Sequence, residues 1–201
     1  MNKLMIIAVL FVLFPSTGTI SALAQSVDVA FGVGSLTAPG ATTRNGLVYP
    51  SETGGAYISF GGDVLLHKRF GVGAEFDWRA SQNAYGTLVR YRPLFFDVNG
   101  VWAPRLTKHL TGELQAGIGV EDIRFYTGYG NGGGCDYYGY CNNFVGSHHF
   151  MGDLGGGIRA YVWHNLFVRP EVRLYLVHNN AEFSSGTAVR YGASIGYSFG
   201  R

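Results

Sequence analysis

From Val27 onward, apolar and polar residues alternate with a period of two, the pattern of β-strands whose two faces meet different surroundings. In residues 189–199 every odd position is apolar, and every even position is Arg, Gly or Ser. Comparable alternation occupies seven further segments, at 27–34, 56–66, 72–79, 89–102, 110–121, 149–162 and 168–176. The pattern therefore predicts an all-β chain with eight strands.

The connections between these segments alternate in length. The short connections are 67–70, 104–109 and 163–166. The long ones are 35–55, 127–147 and 179–187, with 81–87 intermediate. An even number of strands, with short turns at one end and longer loops at the other, is typical of bacterial outer-membrane barrels. We therefore predict an eight-stranded antiparallel up-and-down transmembrane β-barrel, with strands of about 10–14 residues.

The fourth segment departs from strict alternation at 94–96, where three apolar residues follow one another. Pro93 precedes them and cannot donate a hydrogen bond to a neighbouring strand, which predicts a bulge or an edge-like irregularity. The direction of Arg90 and Arg92 relative to Asp97 is therefore open at the level of sequence.

Residues 1–24 have the organisation of a secretory signal peptide. Lys3 provides the positive start, 4–14 form an apolar run, and Ala22-Leu23-Ala24 is a small-x-small cleavage site. The apolar run is far shorter than the ~20 residues of a membrane-spanning helix. We expect cleavage to leave one exported domain, the barrel at 25–201.

The composition predicts which face of the barrel points outward. Charged residues make up 14% of the chain, against about 25% in average proteins. The formal net charge of +2 excludes a strongly basic nucleic-acid-binding domain. After the signal peptide the lysines are Lys68 and Lys108, both in predicted short turns. The outer surface of a soluble barrel needs dispersed charge, so we expect the apolar face to point outward into lipid. The alternative is a soluble, lipocalin-like carrier with that face inward.

Aromatic residues lie near the predicted strand ends on the apolar face, as interfacial girdles require. They are Trp78, Trp102, Tyr191, Tyr197 and Phe199. Strict alternation would place Trp163 on the polar face, so we assign it to a turn.

The polar face carries a set of carboxylates and arginines that we expect to pair inside a narrow lumen. The set comprises Asp63, Glu75, Asp77, Arg79, Glu113, Asp153, Arg159, Arg169, Glu171, Arg173 and Arg190. We interpret it as a polar network that holds the barrel together. The alternative is a narrow ion path or gate.

Cys135 and Cys141 are the only cysteines, and they lie in a long Gly- and Tyr-rich loop. In an exported protein such a pair predicts a disulfide bond. The glycine-rich stretch 128–135 lacks the Lys-Ser/Thr of a phosphate-binding loop. The nearby tyrosines could form an adhesive contact patch. They are Tyr126, Tyr129, Tyr137, Tyr138 and Tyr140.

His148 and His149 are adjacent, so on a strand they face opposite sides and cannot chelate one ion together. The sequence offers no cofactor or metal site.

The signal peptide, the eight amphipathic segments and the closing run 191–199 resemble the small OmpA/OmpX-type outer-membrane barrels. The outward residues of that run are similar to the signal by which such barrels are recognised for assembly. They are Tyr191, Ile195, Tyr197 and Phe199. Here the chain ends in Phe199-Gly200-Arg201 instead of at the aromatic residue. The resemblance implies outer-membrane lipid and the barrel assembly machinery as partners, and a monomer with both termini in the periplasm.

One further stretch resembles an enzyme family. His178-Asn179-Asn180-Ala181 is similar to the His-x-Ser-Asn run of outer-membrane lipid A deacylases, which are also eight-stranded barrels. Their nucleophilic serine corresponds to Asn180, and asparagine cannot form the acyl intermediate. We therefore expect a non-enzymatic outer-membrane protein with a structural or surface-interaction role, its external loop ligand unidentified. A narrow porin-like channel is the alternative, and a lipid hydrolase lacking its serine is the third possibility.

Overall fold

The alternating segments form a closed, antiparallel eight-stranded barrel in the structure, a computed structural model that describes residues 26–67, 69–86, 89–127, 134–135, 141–142 and 144–200. The barrel strands are β1 (Ser26–Thr37), β2 (Ala56–His67), β3 (Phe70–Arg79), β4 (Val89–Trp102), β5 (Leu110–Thr127), β6 (Val145–Trp163), β7 (Leu166–Val177) and β8 (Thr187–Phe199). No helix long and apolar enough to cross a membrane occurs among these residues. Residues 1–24, which we predict to be a signal peptide, lie outside the described residues.

Each barrel strand pairs with its neighbours in the chain, and β1 also pairs with β8. That closing pair runs from Val27 opposite Phe199 to Thr37 opposite Val189. Closure leaves no unpaired barrel edge, so the backbone groups of the strands are satisfied without water.

Additional short strands lie at the end of the barrel that carries the long loops. Thr42–Arg44 and Leu47–Tyr49 form a hairpin within the connection from β1 to β2. Asn45 and Gly46, at its turn, both have positive φ, as a two-residue hairpin turn requires. Asn83–Tyr85 pairs with the start of β4, and Gly134–Cys135 pairs with Cys141–Asn142.

The outward face of the barrel is apolar. Large exposed apolar side chains alternate with more deeply buried residues along the strands. Val33, Ile118 and Ile195, for example, are 58%, 61% and 51% exposed. The four residues expected to form the assembly signal all lie on this face, as do Trp102 and the half-buried Trp78. Such a surface is stable only against hydrocarbon, so the apolar face points outward and the barrel spans a membrane. The soluble-barrel alternative is excluded.

The irregularity expected at Pro93 lies on one side of β4 only. β4 pairs with β5 in one continuous register across Pro93, without a bulge. On its other side, the pairing with β3 ends at Leu94 and the pairing with Asn83–Tyr85 begins at Tyr91, so Pro93 has no partner there. Phe95 simply points inward and is fully buried, so Asp97 faces the lumen while Arg90 and Arg92 face outward. The expected strand length of 10–14 residues was wrong for β5 and β6, which are 18 and 19 residues long. Their mutual pairing continues to Val145 opposite Phe125, beyond the last pair of β6 with β7 at Met151, and β4 pairs with β5 as far as Thr127.

A register shift between Tyr161 and Trp163 places Trp163 at the end of β6 with 70% of its surface exposed. The shift explains why strict alternation mispredicts its side.

Candidate functional site: a closed lumen and an external loop platform

Arg159 on β6 is the centre of the charged lumen near the short-turn end. Its guanidinium pairs with Asp28 and Glu113, and with Asp63 at 2.7 Å. These carboxylates come from β1, β5 and β2, so one arginine connects four strands across the barrel. Guanidinium groups suit this role because their planar array of donors can serve several carboxylates at once.

Arg169 and Arg173 on β7 extend the network toward the long-loop end. Arg169 binds Glu113 at 2.6 Å and Glu171 at 2.7 Å. Arg173 binds Glu75 at 2.6 Å. Further contacts join Arg173 to Asp97 at 3.2 Å and to Asp153 at 3.4 Å.

Arg190 on β8 completes the network. Its guanidinium pairs with Glu75, with Asp77 at 2.9 Å and with Glu171 at 2.8 Å. Because each arginine reaches carboxylates on several strands, the ion pairs cross-link the barrel wall as well as fill it.

The structure buries all eleven residues of the expected lumen set and brings ten of them into this network. Arg79 stands apart, because its guanidinium donates to the Tyr91 hydroxyl at 3.3 Å. Asp28 and Asp97 also belong to the network but were not among the expected residues. Asp28 lies on the polar face of β1, and the apolar run 94–96 obscured the direction of Asp97.

Buried carboxyl groups outnumber buried guanidinium groups by ten to five among the described residues. Six of the ten carboxyl groups each leave one oxygen without a hydrogen-bond partner among these residues, and Asp28 Oδ1, Asp97 Oδ2 and Asp153 Oδ1 are three of these oxygens. The lumen therefore attracts cations or protons, beyond the paired network that we expected.

An apolar layer closes the lumen between this network and the long loops. Its members are Leu36, Tyr57, Phe95, Met151, Tyr175, Val177 and Ala188, all buried. On every strand that contributes both to this layer and to the ionic network, each residue of the apolar layer lies nearer the long-loop end than the residues of the network. An ion crossing the barrel would have to pass this layer without its water shell, which is costly.

A second buried carboxyl site lies beyond the apolar layer. Glu52, from the connection between β1 and β2, is 2% exposed, and Glu121 on β5 is fully buried beside it. Burial raises the pKa of Glu52 to about 7, a rise that a hydrogen bond with Glu121 and the charge of Arg79 partly offset, whereas Glu182 adds to it. Two carboxyl groups in contact away from water share a proton more readily than both ionise.

The connection from β7 to β8, residues 178–186, folds over this end of the barrel. Phe183 is buried in an outer aromatic cluster with Tyr85, Tyr91, Ile123 and Phe125. The Ser184 amide donates to the Pro50 carbonyl at 2.9 Å, and its hydroxyl donates to the Pro39 carbonyl at 3.0 Å. We call the joined segments 38–55 and 178–186 the loop platform.

Ser147, His149 and Glu182 anchor the platform to β6. The Ser147 hydroxyl donates to Glu182 at 2.6 Å, and His149 Nε2 lies 3.1 Å from both Ser147 Oγ and Glu182 Oε2. A hydrolytic triad needs one ring nitrogen for the serine and the other for the carboxylate. Here a single nitrogen meets both groups, which is the geometry of an anchor.

The remaining candidate residues fall in different places. His148 faces outward and contacts Asp122 at 3.2 Å, whereas His149 faces inward. Asn180, at the position of the missing serine, donates to Glu121 at 3.3 Å. The backbone register sets Cys135 opposite Cys141. Of the loop tyrosines, Tyr126 alone lies within the described residues. The described residues contain no cluster of three or more His, Cys, Asp or Glu side chains that could hold a metal ion.

Comparison with known proteins supports the fold without naming a function. The sequence matches no family model and no curated protein. Among solved structures, Neisserial surface protein A is similar with a TM-score of 0.62, at 8% identity over 88% of this chain and 98% of that protein.

Two further outer-membrane barrels are similar. The N-terminal β-barrel domain of Pseudomonas aeruginosa OprF gives a TM-score of 0.56, at 10% identity over 88% of this chain and 98% of that domain. Ail, the attachment invasion locus protein of Yersinia pestis, gives a TM-score of 0.55, at 11% identity over 87% of this chain and 98% of that protein. The chain therefore has the fold of the small outer-membrane barrels, as its resemblance to the OmpA/OmpX type implied.

Proposed function

We propose that this chain is a monomeric outer-membrane barrel that displays its loop platform at the cell surface as a non-enzymatic contact surface. In this proposal the signal peptide is cleaved, both termini lie in the periplasm, and the long loops face outward. The observation that carries it is the way segments 38–55 and 178–186 bind each other and the barrel. A platform fixed in this way loses little conformational entropy when a partner binds.

The platform also offers apolar contact area outside the lipid-facing belt. Leu47 and Val48, in the hairpin of the β1–β2 connection, are 63% and 70% exposed. The hairpin is held by Arg44, whose guanidinium donates to the Ser184 carbonyl at 3.4 Å. Exposed apolar side chains on an ordered support are typical of protein-contact surfaces.

Ail offers an analogy for such a role. It is an attachment invasion locus protein with a known structure in complex with sucrose octasulfate, a heparin analogue. We therefore include immobilised heparin among the surfaces to be tested for this chain. We also retain outer-membrane lipid and the barrel assembly machinery as proposed partners, the latter through the outward face of β8.

A cation-conducting channel is the second candidate, and the excess of buried carboxyl groups favours it. The apolar layer across the lumen opposes it, because an ion would have to pass the buried side chains of Phe95, Met151 and Tyr175 without its water shell. The lipid hydrolase ranks third, since Asn180 is bound to Glu121 and no serine stands in its place.

The test compares cells that carry the wild-type barrel with cells that carry Leu47→Ser or Leu106→Ser. Leu106 is a matched control, because it is 57% exposed in a turn at the opposite end. Outer-membrane insertion is first checked by the gel mobility of boiled and unboiled membrane fractions. Cells are then retained on immobilised heparin, matrix proteins and other bacterial cells.

We expect wild-type cells to be retained on at least one surface, and Leu47→Ser to lower that retention several-fold while Leu106→Ser does not. Retention equal to that of barrel-free cells on every surface would overturn the contact role. Discrete conductance steps of the wild-type protein in planar bilayers would then support the channel.

A further inference from the structure

Three arginines form a basic patch on the outward face of the barrel, directly beyond its apolar belt. Arg90 and Arg92 on β4 and Arg124 on β5 are the only outward-facing cationic residues of the barrel strands among the described residues. We call them the arginine patch. They alternate with the inward-facing Tyr91 and Ile123, which are fully buried. Their direction is therefore fixed by the strand.

The strand register gives the height of the patch. Phe96, Val120 and Phe150 form one row of exposed apolar side chains across β4, β5 and β6. In the next row toward the long loops, Trp78 pairs with Leu94, and Leu94 pairs with Asp122. Tryptophan on a lipid-facing strand marks the membrane interface.

The row beyond Trp78 pairs Arg92 with Arg124. Successive rows on one face are about 6.6 Å apart along a strand, so these guanidinium groups lie at headgroup level. A lipid with phosphate groups at that level is within reach of long arginine side chains, which extend toward the interface.

The patch is short of anions. Arg124 binds Asp122 at 3.1 Å, and its guanidinium lies 4.9 Å from the centre of the Phe144 ring. Asp122 also contacts His148. Arg92 donates to the Ala80 carbonyl at 3.3 Å, but its buried Nε has no hydrogen-bond partner. Neither Arg90 nor Arg92 pairs with a carboxylate of the described residues.

Two like charges placed directly opposite each other on neighbouring strands destabilise the pairing. An anion between Arg92 and Arg124 would reverse that effect, and phosphate matches the planar donor array of guanidinium groups. We propose that the arginine patch binds the phosphate groups of a phosphorylated glycolipid in the outer leaflet. The proposal rests on the proposed outward orientation of the long loops.

The test measures lipid binding to refolded protein in detergent micelles, with diphosphorylated lipid A and its dephosphorylated form as probes. The variant Arg90→Gln/Arg92→Gln removes two charges and spares the Arg124–Asp122 pair. The control Arg69→Gln/Arg105→Gln removes two charges at the short-turn end. Unboiled gel mobility shows which proteins are folded, so that loss of the barrel is distinguished from loss of the lipid site.

We expect wild-type protein and the control to bind the diphosphorylated lipid about tenfold more tightly than the dephosphorylated form, since one charge-assisted contact accounts for about that factor. Arg90→Gln/Arg92→Gln should lose the preference, and Arg90→Lys/Arg92→Lys should regain part of it. An equal preference in the Gln variant, or none in the wild type, would overturn the proposal. Displacement of the lipid by millimolar inorganic phosphate would assign the patch to free phosphate instead.

Discussion

Phe95 of β4 and Tyr175 of β7 stack almost parallel across the lumen, with ring centroids 4.7 Å apart and 5° between the ring planes. The Tyr175 hydroxyl donates to Asp77 at 2.8 Å, so the stack is tied to the ionic network below it. The two rings join opposite walls of the barrel within the apolar layer. This contact separates the acidic lumen from the loop platform.

Removing one ring of that stack should open the lumen. We expect wild-type protein in planar bilayers to be silent, and Phe95→Ala to show discrete, cation-selective conductance steps, because buried carboxyl groups exceed arginines on the side of the layer that it exposes. Phe96→Ala is the matched control, since Phe96 points into lipid and is 51% exposed. Silence of the Phe95 variant would show that the apolar layer is not the barrier.

Replacing Arg159 should destabilise the barrel strongly. Arg159→Leu leaves Asp28, Asp63 and Glu113 without their shared cation. Breaking a buried pair of this kind typically costs about 3–5 kcal/mol. The free energy of unfolding, measured by urea titration in liposomes, should fall by that amount. Arg105→Leu, at the short-turn rim, should change it by less than about 0.5 kcal/mol. A loss below 1 kcal/mol for Arg159→Leu would contradict a structural role for the network.

The sequence was sufficient to predict the barrel because every strand carries two chemically different faces. The same alternation placed Glu75, Arg159 and Arg173 inside before any contact was known. It could not predict which carboxylate each arginine would bind, since partners such as Asp28 and Arg159 are 131 positions apart. Strand shear and register, which short-range patterning does not encode, decide those pairs.

The loop platform was not predictable for a related reason. Ser184 meets Pro39 across 145 positions, and neither residue belongs to an alternating segment. The two residues lie in separate long connections of the sequence, 35–55 and 179–187. In the arginine patch, three consecutive apolar residues hid the direction of Arg90 and Arg92, although unbroken alternation through Pro93 would have given it.

The cysteine pair gives a prediction about covalent structure. Because the backbone places Cys135 opposite Cys141 on paired strands, we expect a disulfide in protein isolated from the membrane. Intact mass before and after reduction should differ by two hydrogens, and thiol-specific alkylation should occur only after reduction. The bridge closes a short loop, which should raise the free energy of unfolding by about 2 kcal/mol according to the chain-entropy model. Alkylation of both cysteines without reduction would show that the bridge is absent.

Glu52 should make the stability of the barrel depend on pH. Burial raises the pKa of its carboxyl group from 4.5 to about 7 in the folded protein. Between these pH values the folded state binds more protons than the unfolded state, so stability falls as pH rises. The slope approaches about 1.4 kcal/mol per pH unit, and the total is at most roughly 3 kcal/mol. Above pH 7 this contribution is constant.

Glu52→Gln should remove that slope and make the protein more stable than the wild type at pH 8, because the amide keeps the shape of the protonated carboxyl. Glu121, Glu182 and Arg79 face Glu52 and remain in the variant. Urea unfolding of both proteins at pH 4.5, 6, 7 and 8 measures the difference. His149→Gln is the control, since a slope that persists in this variant does not arise from its ring. If Glu52→Gln retained the wild-type slope, the proton shared by Glu52 and Glu121 would not account for the pH dependence of the stability of the barrel.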